Sequence, residues 1–291
     1  MEVVIIPQKY DMTTLNLVEN PAEIVIKKAD LASAGSTMKS YLYTDIQLYE
    51  LGLDINYMLR AYDAEDNLVA VSETFTTSAA TYLKTSYEAS ADAKFRTLVA
   101  DTLIVGDEAV KNTAKNYVGS DLDNAPSIIE GFDTSEATAT VDTYNTVDAF
   151  NSFNADFGSA SSATHQVRKS VSIGKVPYIT YRIKDANSAL DLSKLSVKVT
   201  YGENYDVTFT TATHPEAFSK TGSWINFKFD QVGLQDSDKN IVAVFNYDGK
   251  AVCDSTYSVE TYLGSAMTGT IADLATALIK LGVSFRAYQA G

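Results

Sequence analysis

Carboxylates gather at three places along the chain: "DAEDN" (63–67), "DLDN" (121–124) and "DSDKN" (236–240). Closely spaced Asp and Asn oxygens are the ligands that calcium prefers. None of the three has the twelve-residue spacing and terminal Glu of an EF-hand loop. Asp and Asn also favour strand-connecting turns, because their side chains bond the nearby backbone. The turn reading is preferred at each. Two carboxylates could also serve glycoside hydrolysis, one as acid and one as nucleophile or base, but acidic residues are so abundant here that no pair stands out.

Other chemistry-bearing side chains are few. His165 and His214 are the only histidines, and Cys253 is the only cysteine. An intrachain disulfide and a cysteine-rich zinc site are therefore excluded. A Ser-His-Asp, Cys-His or multi-histidine metal site would have to be built around one of two histidines, both in polar, turn-like stretches. Cys253 sits in the strand-like "KAVCDSTY" and reads as a small buried hydrophobe. No G-x-S-x-G, Walker loop, H-E-x-x-H or dinucleotide fingerprint occurs. The expectation is a non-enzymatic protein without catalytic, cofactor-binding or metal-binding residues.

Composition narrows the partners. The chain has 291 residues, 45% hydrophobic, enough for one large domain or two ordinary ones. Twenty-three basic residues face 37 acidic ones, a net charge of −14. Nucleic-acid binding needs a concentrated basic patch, and the densest, "HQVRK" (165–169), is too small and reads as a solvated linker. No apolar run approaches the roughly eighteen residues of a membrane span. The start, "MEVVIIPQKYDMTT", lacks the basic and long apolar regions of a secretory signal; Val3 to Ile6 read as a first strand. Either a leader has been removed or the protein acts where it is made.

Most of the chain alternates with the period of strands: "EIVIKK" (23–28), "YLYTDIQL" (41–48), "INYMLRAYD" (55–63), "AVSETF" (70–75), then "ITYRI" (179–183), "LSVKVTY" (195–201), "YDVTFTT" (205–211), "WINFKFDQVGL" (224–234) and "NIVAVFNYD" (240–248). Asp248-Gly249 is a type I′ hairpin signal. Two stretches instead keep one stripe apolar at helical spacing, "FRTLVADTLIVGDEAV" (95–110) and "IADLATALIKLGVSFRAY" (271–288). "TIAD" (270–273) fits a capping box at the second.

These elements recur in one order. Tyr41, Tyr43, Ile46, Leu48 and Ile55 fall on Phe227, Phe229, Val232, Leu234 and Ile241, each pair 186 apart. Tyr82-Leu83 meets Tyr262-Leu263. Phe95, Leu98, Leu103 and Gly106 meet Ile271, Leu274, Ile279 and Gly282, each pair 176 apart. This is the pattern of a tandem duplication. The expected fold is mainly β (α+β): two tandem Ig-like β-sandwich domains, 1–112 and 173–291, each followed by one packing helix. Gly106 and Gly282 would mark where each helix presses closest to its sheet.

Residues 113–172 differ, being rich in Ser, Thr, Asn, Asp and Ala without sustained periodicity, as connectors are. Yet Tyr144, Phe150, Phe153 and Phe157 recur every three to six residues. A purely solvating linker has no need of them. They form a candidate interface, laid either on the chain's own domains or on another subunit. The eighteen tyrosines, many in strands, suit half-buried sheets and interfaces.

The runs "YITYRIKDANSALDLSKLSVKVTYGENYDVTFTT", "YLYTDIQLYELGLDINYMLRAYDAEDNLVAV" and "ADAKFRTLVADTLIVGDEA" carry a resemblance. They are similar to a module of large secreted or surface proteins of gut Firmicutes, and of phages infecting those bacteria. Tyr181-Arg182 matches the Tyr-Arg pair of an early strand in that module. Leu98, Val99, Asp101, Leu103 and Gly106 match its helix, but Val105 replaces a Tyr and Asp107-Glu108 replaces Ala-Ala. The second copy keeps Leu278, Leu281 and Gly282 and lacks the Asp. The resemblance spans most of both copies and not the connector, and it brings no catalytic residues. Its members sit in long chains behind a signal peptide. A free-standing, signal-less version fits a phage virion protein assembled in the host cytoplasm: a head decoration, auxiliary capsid or fibre-attachment protein. Its partners would be other virion proteins and copies of itself, with a glycan or host surface as a further possibility. The alternative is a bacterial cell-surface adhesin or carbohydrate-binding module.

Overall fold

The computed structural model describes residues 1–11, 16–33, 39–117, 127–141, 144–145, 147, 152–157, 165–173 and 177–291. They form two compact units, Met1–Ala137 and Thr138–Gly291. Both are β-rich with helices appended, a mainly β α+β fold.

Unit 1 contains β1 (Glu2–Pro7), β2 (Ile24–Lys27), β3 (Ala32–Ser33), β4 (Lys39–Ser40), β5 (Ile55–Tyr62), β6 (Leu68–Val71), β7 (Phe75–Thr77), α1 (Ala79–Ala89) and α2 (Ala93–Tyr117). Its sheet runs β2-β1-β5-β6, with β7 pairing the other half of β5, and every pair is antiparallel. β1 and β5 are rich in β-branched and aromatic residues, which suit a pleated surface. β3 and β4 form a separate two-stranded ribbon. Ile5, Ile26 and Leu31 make a small core on one sheet face. A second core joins the helices through Tyr87, Val99, Leu103 and Val110, closed by Ile128 and flanked by Phe132.

Unit 2 contains β8 (Ser152–Ala155), β9 (His165–Ser172), β10 (Tyr178–Lys184), β11 (Leu195–Tyr201), β12 (Tyr205–Thr210), β13 (Phe218–Thr221), β14 (Trp224–Phe229), β15 (Ile241–Tyr247), β16 (Lys250–Tyr257), α3 (Val259–Ala266) and α4 (Ala272–Gln289). Its two antiparallel sheets run β12-β11-β15-β16 and β13-β14-β10-β9-β8. Aromatic rings from both sheets meet between them: Tyr181 lies 5.3 Å from Phe245, and Phe209 5.3 Å from Phe227. Such offset and edge-on pairs stabilise a core beyond the area they bury, by about 0.5–1.5 kcal/mol each. Asp248 and Gly249 both have positive φ, 52° and 78°, and turn β15 into β16 as a type I′ hairpin requires.

Each unit contains a sheet of the same topology. β2-β1-β5-β6 and β12-β11-β15-β16 have the same order and direction, and the ladders agree in register. Val3 pairs with Leu59 as Val197 pairs with Phe245, and Ile5 with Tyr57 as Val199 with Ala243. Leu59 and Phe245, like Tyr57 and Ala243, are 186 apart, the separation of the sequence repeat. Among the described residues, unit 1 has no counterpart of β8, β9 and β10.

Several expectations need correction. Each unit carries two helices rather than one, because α1 and α3 hold Tyr, Thr and Ser that look like strand or loop. Ser78 and Ser258 start these helices, each accepting a hydrogen bond from the backbone N–H three residues on (Thr81 and Thr261, 3.0 Å). The "TIAD" capping box does not form: α4 is preceded by Ile271, with no side-chain cap. Residues 41–47 join no ladder, and 48–50 form a 3-10 turn. "HQVRK" is no solvated linker but the start of β9, with His165 and Lys169 buried. The boundary at 137/138 falls inside the stretch read as connector. Its first part belongs to unit 1, where Phe132 stacks edge-on to Tyr87 at 4.8 Å and Glu136 bonds Arg96 at 2.7 Å. Its last part supplies β8 and β9 to unit 2.

Candidate functional site

The acidic clusters are turns where they are described. Asp63 Oδ1 accepts the N–H groups of Glu65 and Asn67 at 3.0 and 2.8 Å. Hydrogen bonds from the Asn67 backbone and side chain hold the Asp63 carboxyl below the usual carboxylate range. The "DSDKN" stretch begins on the last residue of a 3-10 turn at Leu234–Asp236, and "DLDN" lies outside the described residues. Among the described residues, no group of three or more His, Cys, Asp or Glu side chains is placed to hold a metal ion.

Buried carboxylates are committed to structural partners. Asp107 Oδ1 accepts from Ser127 Oγ and the Ile128 N–H, both at 2.9 Å, and its Oδ2 pairs with Lys111 at 2.8 Å. Asp185 accepts from the Ala189 and Leu190 N–H groups and pairs with Lys220 at 3.2 Å. Glu260 pairs with Arg286 at 2.8 Å and accepts the Asn145 N–H at 3.1 Å. The histidines are apart in the same sense. His165 Nδ1 lies 2.7 Å from the Lys184 carbonyl in the sheet, whereas His214 sits at a turn against Thr213. Burial, with Asp254 alongside, pushes the Cys253 thiol up to about 12, so it stays protonated and a poor nucleophile near neutral pH.

The candidate aromatic residues scatter. Phe157 is buried in unit 2, edge-on to His165 at 5.6 Å and to Tyr247 at 6.2 Å. Tyr144 lays its ring against Gly264 in α3, where any Cβ would collide with it. Phe153 occupies a ladder position opposite Val167 in β8, and Phe150 lies outside the described residues. Tyr144 and Phe157 thus each meet residues of unit 2.

A feature that sequence reasoning missed lies in unit 1. One face of its sheet forms a trough of about 760 Å³, lined by Val3, Ile5, Ile55, Tyr57 and Leu59 on the floor and by Tyr41, Tyr43 and Tyr82 on the walls. Among the described residues of its lining, Lys39 carries the only charged side chain. Its tyrosines stay exposed: Tyr41 is 45%, Tyr57 38% and Tyr82 70% accessible, and Leu59 42%. The corresponding Phe227, Ala243 and Phe245 of unit 2 are 0% accessible, Phe227 on one sheet and Ala243 and Phe245 on the other. Exposed apolar faces are common at interaction sites. Its only sequence signal was the repeat itself, since alternation shows which face is apolar and not whether anything covers it.

Comparison with protein-family models, with curated proteins and with solved structures found no match.

Proposed function

We propose that this protein is a non-enzymatic structural component of a phage particle, a head decoration, auxiliary capsid or fibre-attachment protein, which docks on its neighbours through unit 1. In this reading both units are Ig-like β-sandwiches, and unit 1 is one whose covering sheet comes from elsewhere. The observation that carries it is the exposed trough, equivalent to a fully covered core in unit 2. The commitment of Asp107, Asp185 and Glu260 to helix and turn contacts supports a structural role over a catalytic one. The resemblance to a module also carried by phages supplies the particle as the setting. Mass spectrometry of purified virions tests it. The protein is expected there in fixed stoichiometry to the capsid protein; finding it only in the soluble fraction of host cells overturns the proposal.

A further inference from the structure

We propose that the trough of unit 1 is a docking site for a basic β-strand of a partner protein. The strand's alternate apolar side chains enter the trough while its backbone pairs antiparallel with residues 39–43. The proposal deepens the docking role above and rests on it.

Unit 2 shows what the trough is shaped to hold. There β10 pairs with β14, Tyr181 opposite Phe227 and Ile179 opposite Phe229, and Ile179, Tyr181 and Ile183 all point into the core. Phe227 and Phe229 correspond to Tyr41 and Tyr43, 186 residues earlier. Residues 41–43 follow β4 directly, and among the described residues no strand pairs with them. The trough therefore has an open backbone edge beside an apolar floor, the two features that strand addition uses for affinity and for selection of alternate side chains.

Charge indicates the kind of strand. Residues 1–137 hold ten basic and 22 acidic side chains, so unit 1 carries −12 of the net −14. In unit 2, residues 165–184, which supply β9 and β10, hold five basic side chains (Arg168, Lys169, Lys175, Arg182, Lys184) and no acidic one. A unit so acidic favours a basic cover at long range. A second copy of this chain fits poorly. Its own β10 is already paired with β14 and β9 and packed against Phe245, and two unit 1 faces would each bring a charge of −12.

The probe is a labelled peptide of residues 175–184, KVPYITYRIK, titrated into the full-length protein with anisotropy as the readout. Saturable one-to-one binding is expected, lost at least tenfold for a peptide of the same composition with its alternation scrambled. Tyr41→Asp and Tyr57→Asp should each weaken it at least tenfold. Tyr41 lies outside any ladder, so the Tyr41→Asp protein keeps its fold even if Tyr57→Asp does not. Raising salt from about 0.05 to about 0.5 M should also weaken binding. Absent binding, equal binding of the scrambled peptide, or binding unchanged by Tyr41→Asp overturns the proposal. So does a dimer in sedimentation that Tyr57→Asp converts to monomer, which would make a second copy the occupant. So does an apolar small molecule extracted from the purified protein. Peptide failure with the protein present in virions removes the strand and leaves the docking role; peptide binding with the protein absent from virions removes the particle and leaves the strand site.

Discussion

Gly106 faces the carbonyl of Leu48: a Cβ built on Gly106 would lie 3.4 Å from that oxygen. Gly282 stands in the same relation to Leu234, again at 3.4 Å. Each glycine thus lets a helix approach the 3-10 turn that precedes the central strand, rather than the sheet itself. At Gly106 a methyl group would also meet Leu51 Cδ1 at 2.8 Å and Ile128 Cδ1 at 3.1 Å.

Gly106→Ala should therefore lower stability despite a better helix former. Alanine gains about 1 kcal/mol of propensity, but overpacking a filled site costs about 1–3 kcal/mol. A net loss of about 1 kcal/mol is expected, read as a lower urea midpoint at unchanged m. A rise in the midpoint would show that Leu51 and Ile128 yield freely.

The serine caps offer a matched pair. Ser78 and Ser258 each bond a backbone N–H at 3.0 Å, and their hydroxyls also meet those of Thr81 and Thr261 at 2.9 and 2.8 Å. Replacing either by Ala should cost about 1 kcal/mol, measured by denaturant unfolding. Both are buried, so the orphaned N–H has no water to turn to, and Gly at these positions should not restore the loss.

How much of this was legible varies with what each face meets. β10 and β11 begin and end within a residue of the alternating runs that announced them, because one face is wholly buried and the other is polar. β9 alternates just as strictly, but His165 and Lys169 hold two inward positions and hide the pattern. Residues 41–48 alternate like β14 yet join no ladder, since pairing needs a neighbour that composition does not reveal. The duplication was readable from aromatic pairs and glycines. The uncovered face was not, because exposure depends on what lies above a sheet and not on the sheet's own residues.

Acid should loosen unit 1 through Asp107. Burial alone would raise this carboxyl, but hydrogen bonds from Lys111, Ser127 and the Ile128 N–H outweigh burial and hold it below the ordinary value. A carboxyl depressed in the folded state contributes stability that is present above its unfolded value, roughly pH 4, and is lost as pH falls through the folded value. Asp107→Asn should lower stability at neutral pH and flatten the acid limb of stability against pH. A variant with the wild-type slope between about pH 4 and pH 2 would show that the proton is taken up elsewhere.

Cys253 reports on unit 2 alone. It lies on β16 opposite Phe245, and burial together with the neighbouring Asp254 keeps its thiol protonated up to about 12. Because thiolate is the reacting form, labelling by a disulfide reagent at pH 8 should be far slower in the native protein than in urea, where the thiol reverts to roughly 8.5. Cys253 is half-buried, so the native labelling rate should reflect its residual exposure as well as opening of the β15–β16 pair. Mutations that weaken unit 2, such as Ser258→Ala, should accelerate it, whereas Gly106→Ala in unit 1 should leave it unchanged if the two units unfold independently. Equal labelling rates in buffer and urea would show that neither burial nor Asp254 holds the thiol protonated in the native protein.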